Sequence, residues 1–182
     1  MPTFGPELEG NILRRDSLRK ELYADYVHYT VVTHREQRTP VVVALNIDQS
    51  QFRGTERKPW RTDSWVGNAF QLNNDYYHHN PWDKGHLARR ATSAWGETQR
   101  EAQVASDQTM FYTNASLQHE NFNQDEWLEL EDWVKDLTRD RDDKITSFSG
   151  PVWFDHPRSI TPPGRETALI PAAFFKIVWG HA

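Results

Sequence analysis

An α+β domain is the fold this sequence predicts, and three observations carry the prediction: two β-branched runs flanking a polar stretch, one amphipathic helix, and no regular alternation of strand with helix. The chain of 182 residues is long enough to bury one sizeable core. Residues 1–27 are mixed and charged and read as an N-terminal covering arm; Leu18 and Leu22 lie one helical turn apart but have too few apolar neighbours to fix an element. Residues 28–182 are assigned to a single domain. Within it, residues 29–33 and 41–47 are Val- and Thr-rich runs separated by a polar stretch with Pro40, the pattern of a two-stranded hairpin in a central sheet. Residues 48–82 mix Asn, Asp, Gly, Pro and aromatics without a sustained period and are expected to form a long surface loop, a common carrier of function. Residues 123–137 predict an amphipathic helix, because Trp127, Leu130, Val134 and Leu137 recur at three- and four-residue steps. Residues 145–154 and 173–179 read as strands, with Pro162-Pro163-Gly164 marking a turn between them.

Composition removes several function classes. There is no cysteine, hence no disulfide framework, thiolate metal site or cysteine nucleophile. No stretch is long and apolar enough to span a bilayer, so no membrane partner is expected. The first residues lack a secretion signal, which leaves localisation open, with a mature exported form preferred to a cytoplasmic one. The 26 acidic residues against 21 basic ones give a formal charge of -5, which by itself argues against a polyanionic partner. A local cluster of cations can override that balance, so the cluster has to be found.

It is found around residues 80–90, where Asp83, Lys84, Gly85, His86, Arg89 and Arg90 place an acid, two kinds of cation and an imidazole within a few positions. A neutral histidine can take a proton from water near neutral pH while nearby cations hold a phosphate. A strand end with a surface histidine explains the segment equally well on its own. Asn123 and Glu131 are eight residues apart, which on one continuous helix sets them within about 80° of each other, on the side of Trp127, Leu130 and Val134. Polar groups on a buried face need a partner. Taken singly, Asn123 as a helix cap and Glu131 at the solvent margin are the simpler explanations.

Taken together, the segments resemble a known family. Asp83-Lys84-Gly85-His86 is similar to the Asp-Arg-Gly-His signature of the DNA/RNA non-specific endonucleases, which include endonuclease G and belong to the ββα-metal superfamily. Phe111-Tyr112-Thr113-Asn114, Leu117-Gln118 and the run from Asn123 to Glu131 resemble that family's second signature. Ser149-Gly150-Pro151 and the run from Ile170 to Lys176 resemble its later strands. The resemblance covers most of the chain after about residue 28. It implies a mostly antiparallel central sheet flanked by helices, and a magnesium-dependent endonuclease cutting DNA and RNA with little sequence preference to 5′-phosphate products, with Mn²⁺ as a substitute metal. It makes His86 the general base, Asn123 the one direct protein ligand of Mg²⁺, and Glu131 a group that orients metal-bound water. It also implies an upstream arginine that stabilises the reacting phosphate, with Arg57 the first choice and Arg61 the second; either is otherwise an ordinary loop cation. Asp83 is expected to steady the turn or the His86 ring, Asn114 and Gln118 to support the site or contact substrate, and Arg89 and Arg90 to add phosphate-binding charge beside Lys84. Homodimers are common among the proteins it resembles.

Two departures stand out. Lys84 occupies the position where the family usually has arginine and so lacks the planar fork that grips two oxygens. The chain also ends soon after a strand, where many members continue. Two competing readings remain: a zinc site from His78, His79, Asp83 and His86, and a nucleic-acid-binding protein of the same fold without turnover. The aromatics Trp60, Trp65, Tyr76, Tyr77 and Trp82 are expected in core and rim packing, with stacking on unpaired bases as the alternative.

Overall fold

A computed structural model describes residues 3–13, 24–139 and 144–180. In chain order the elements are α1 (Pro6–Asn11), β1 (Ala24–Asp25), β2 (Tyr29–His34), β3 (Thr39–Ile47), β4 (Trp82–His86), α2 (Arg90–Ser93), α3 (Gln99–Gln108), β5 (Ala115–His119), α4 (Glu120–Gln124), α5 (Glu126–Arg139), β6 (Ile145–Val152), β7 (Arg158–Ile160), β8 (Ala168–Ile170) and β9 (Ala173–Gly180). The main sheet has the order β1-β2-β3-β6-β9, every pair antiparallel. The β-branched runs thus pair as a hairpin, with Pro40 inside β3 and the register shifting between Val32 and Thr33. Strand alternation sends Tyr29, Val31, Val43, Leu45 and Ile47 into one core with Trp127 and Val134 of α5. Leu18 and Leu22 lie outside the described residues. Ile12 forms a bridge with His34 and is buried together with Val32 and Val42.

Two expectations need correction. The helix over 123–137 is two helices, because Asp125 takes φ -109 and ψ -94 and ends α4 before α5 begins. Asn123 and Glu131 therefore sit on different helices, and the angle computed for a continuous helix does not apply. Of residues 48–82, only Trp82, at the start of β4, belongs to a strand or α-helix, yet they are not a surface loop. Val66, Leu72, Tyr76 and Tyr77 are buried, and the last three form a second core with Tyr112, Leu117 and Ile170. The segment can be buried because the side chain of Gln71 serves its backbone: Nε2 donates to the carbonyls of Asp63 and Gly67, and Oε1 accepts from the Asp63 amide. Pro162-Pro163-Gly164 turns the chain as expected, with Gly164 at φ 70, but the turn joins two short strands, β7 and β8, that the sequence pattern did not reveal.

Strands β4 and β5 form a separate antiparallel ribbon, with Trp82 opposite His119, Asp83 opposite Gln118, Lys84 opposite Leu117 and His86 opposite Ala115. Its pleat places Trp82, Lys84 and His86 on one face and Asp83 and Gly85 on the other. Close approach is required at Gly85, where a Cβ would overlap the side chain of Gln118.

Candidate active site

His86 ends β4, and the turn after it is clamped from below. Asn114 is fully buried; its Oδ1 accepts from the Ala88 amide at 2.8 Å and its Nδ2 donates to the carbonyls of Ala88 and Thr109. Asn114 thus ties the chain at Ala88 to Thr109 from within the protein and has no exposed surface. The indole of Trp127 donates to the His86 carbonyl at 3.3 Å, tying α5 to the strand end. Trp60 covers the imidazole, with ring centroids 4.4 Å apart. The residue is partly exposed, yet Nε2 is buried and has no hydrogen-bond partner among the described residues. Burial lowers the pKa of His86 to about 3, helped by Arg57, Arg90 and Arg89 in that order. The imidazole is held neutral, which is the form that accepts a proton.

The three arginines differ in how they are held. Arg89 donates to Asp132 at 2.8 Å and lies 3.6 Å from Glu131, and Arg90 donates to the carbonyl and hydroxyl of Thr55. Arg57 is exposed, and among the described residues its side chain makes no hydrogen bond or ion pair. Arg61 lies over the ring of Phe111 at 4.2 Å and does not figure among the charges acting on His86. Of the two upstream candidates, Arg57 is the one whose charge reaches the imidazole. Lys84 lies 5.7 Å from the Tyr77 ring centroid, its pKa lowered by burial against the opposing pull of Asp83.

Three residues before His86, Asp83 Oδ2 accepts from Asn123 Nδ2 and Gln124 Nε2, each at 2.9 Å. That bond turns the Asn123 amide so that Oδ1 is left without a protein donor among the described residues. The pair offers oxygens only, an amide carbonyl and a carboxylate, which suits a hard cation such as Mg²⁺ that keeps most of its water. Gln118, opposite Asp83, is fully buried with both Oε1 and Nε2 unpartnered, and Ser116 Oγ beside it is the same. Gln118, expected to support the site or contact substrate, has no exposed surface here. Among the described residues no three histidines or carboxylates gather as a metal cluster, and His78 and His79 pack on each other at 3.7 Å, so the zinc reading finds no site.

Glu131 is buried between two cations: Oε2 lies 3.6 Å from Arg89 Nε and Oε1 lies 3.8 Å from Lys176 Nζ. Burial raises its pKa to about 7, outweighing the attraction of Lys176 and Arg89. Lys176, lowered by the same burial, donates to Ser149 Oγ at 2.7 Å and sits 4.5 Å over the ring of Trp127. A cavity of about 10 Å³, room for one water molecule, adjoins Arg89, Glu131 and Lys176. The sequence reads Trp60, Trp127 and Lys176 only as packing residues or as part of a strand, and the structure brings them beside His86 and Glu131. For Lys176 a signal exists, since it is the one charge in the apolar run 173–179.

These ionisations give a stability prediction. The lowered pKa of His86 contributes stability that is fully present above 6.5 and is lost as pH falls toward about 3. The raised pKa of Glu131 works in the opposite sense: its contribution is fully present below 4.5 and is lost as pH rises through about 7. In denaturant titrations between pH 7 and 3, His86→Ala is therefore expected to lose less stability than wild type on acidification. Parallel curves for the two proteins would contradict a buried neutral His86.

Residues 16–181 match the family described as DNA/RNA non-specific endonuclease. An uncharacterized protein, y4fB, of Sinorhizobium fredii is 31% identical over 95% of this chain and 28% of its own length. Human mitochondrial endonuclease G is 26% identical over 76% of this chain and 47% of its own length. The chain thus spans less than half the length of these relatives. In the crystal structure of an EndoG/EndoGI complex, a chain aligns with a TM-score of 0.69 and 20% identity over 97% of this chain and 74% of that one, a likeness of fold.

Proposed function

The chain belongs to the DNA/RNA non-specific endonuclease family and has its ββα-metal fold, and from that premise we propose that it is a magnesium-dependent endonuclease hydrolysing DNA and RNA to 5′-phosphate ends. The observation that carries the proposal is the unpartnered Nε2 of a neutral His86, ringed by three arginines and backed by the Asp83–Asn123 pair.

Asn123 Oδ1 would hold the Mg²⁺, steadied by Asp83. When bound, the ion supplies positive charge to the phosphate and to the departing 3′ oxygen. The rest is done by the chain's own residues. Arg57, free of protein partners, holds a phosphate oxygen, and Lys84 adds a point charge along the same strand face. His86 Nε2 takes a proton from water as its oxygen attacks phosphorus; the bond to the 3′ oxygen breaks, that oxygen leaves with the electron pair and takes a proton from solvent, and the products are a 3′-hydroxyl and a 5′-phosphate. The low pKa of His86 is a property of the free protein. A bound phosphate offsets the three arginines and raises the basicity of the imidazole when the base is needed. Phosphate contacts carry no base information, which accounts for weak sequence preference.

The two upstream arginines provide the test. With plasmid DNA and structured RNA in Mg²⁺, Arg57→Ala is expected to lower kcat/KM roughly 10- to 100-fold, the worth of one hydrogen bond to a charged group, while Arg61→Ala stays within about threefold. Equal losses, or a larger loss for Arg61→Ala, would overturn the role given to Arg57.

A further inference from the structure

A groove of about 580 Å³ runs along the β4–β5 ribbon away from His86. Trp82 and Phe122, the residues that immediately precede Asp83 and Asn123, both line it. The groove therefore opens on the ribbon face that carries Lys84 and His86, and its Phe122 wall belongs to α4, which also carries Asn123. Its other walls carry Phe154, Phe174, His119 and Arg158.

The rings are arranged with faces to spare. Trp82 meets His119 only edge-on, at 87°, and Phe122 stacks on Phe174 at 5.7 Å as a rigid wall. Phe154 is 64% exposed and has no ring partner among the described residues. Phe154, Trp82, Phe122 and Phe174 line one groove, and grouped apolar rings on a surface mark a binding site more than a single exposed ring does. Arg158 is also exposed, and among the described residues its side chain makes no hydrogen bond or ion pair. Aromatic faces together with a free guanidinium are what a nucleotide requires, a π-surface for the base and a cation for the phosphate.

Building on the nuclease reading, we propose that this groove is a subsite for the base of an unpaired nucleotide adjoining the scissile phosphate. A base can enter it only when unstacked and unpaired, so the groove favours single strands, loops and frayed ends over intact duplex. Stacking accepts any of the four bases, so the preference is for strand state and not for sequence.

Binding separates this claim from catalysis. In chelator, where a magnesium enzyme cuts nothing, labelled single-stranded DNA and a duplex of the same sequence are titrated with wild type, Phe154→Ala and Arg158→Ala. Both positions are exposed, and melting curves check that the variants fold. Phe154→Ala is expected to weaken single-strand binding about tenfold and to leave duplex binding within about twofold. Placing abasic residues on both sides of one cleavable linkage should cost wild type a similar factor and Phe154→Ala nothing more. An unchanged single-strand Kd in Phe154→Ala, or an equal loss for single strand and duplex, would overturn the subsite. Adding Mg²⁺ to the same mixtures reads the nuclease separately: binding as described without cleavage would support the groove and sink the catalytic reading, and cleavage with no effect of Phe154 would do the reverse.

Discussion

Replacing His86 by alanine is expected to lower cleavage of both DNA and RNA roughly 10²- to 10⁴-fold, the usual contribution of a positioned general base. The melting temperature near neutral pH checks that the variant folds, because the substitution also removes the ring that packs against Trp60. Lys84 and the three arginines are cations, the Asp83 carboxylate is engaged by two amide donors, and the Glu131 carboxylate is buried against Arg89 and Lys176. A variant that still cut within about fivefold of wild type would show that the proton goes elsewhere.

Asn123→Ala is the second large effect. It removes the amide oxygen offered to the metal and one of the two donors that hold Asp83. The expected result is a loss of roughly 10²–10³ in kcat, the scale seen when a group stabilising transition-state charge is deleted, together with a higher Mg²⁺ requirement. Asn123→Asp keeps a hard oxygen donor and should recover part of the activity at raised Mg²⁺. Titrating activity against Mg²⁺ for the three proteins decides the matter. An alanine variant with an unchanged Mg²⁺ dependence would remove Asn123 from the metal site.

The parts of the molecule that could be read from the sequence share a strong local pattern. β2 and β3 are β-branched runs, and α5 repeats Trp127, Leu130 and Val134 at helical spacing. The elements that escaped lack such a pattern. α3 buries Ala102, Ala105 and Ser106, residues too small to mark an apolar face among its glutamines and acids. β4 reads Trp-Asp-Lys-Gly-His, with no alternation, because its ribbon is stabilised by cross-strand pairing and by Gln118 packed over Gly85. The break at Asp125 is a backbone conformation that no residue type announces.

The site divides the same way. Asp83 and His86 were legible because they are three positions apart in one motif, and Asn123 because its own motif follows at family spacing. What surrounds them comes from distant chain: Trp60 over the imidazole, Lys176 of β9 beside Glu131, and Phe111 under the Arg61 guanidinium. The acidic net charge misled only as an average, since three arginines gather around one histidine.

The most direct test of the central claim is digestion of supercoiled plasmid and of structured RNA by the purified protein, in Mg²⁺ and in chelator, with the product ends identified. The account predicts that both substrates are degraded in Mg²⁺, leaving 5′-phosphate and 3′-hydroxyl ends, and that chelator stops both. Folded protein that binds either nucleic acid and cuts neither in Mg²⁺ or Mn²⁺ would contradict it, and would make the chain a binding module on a nuclease fold.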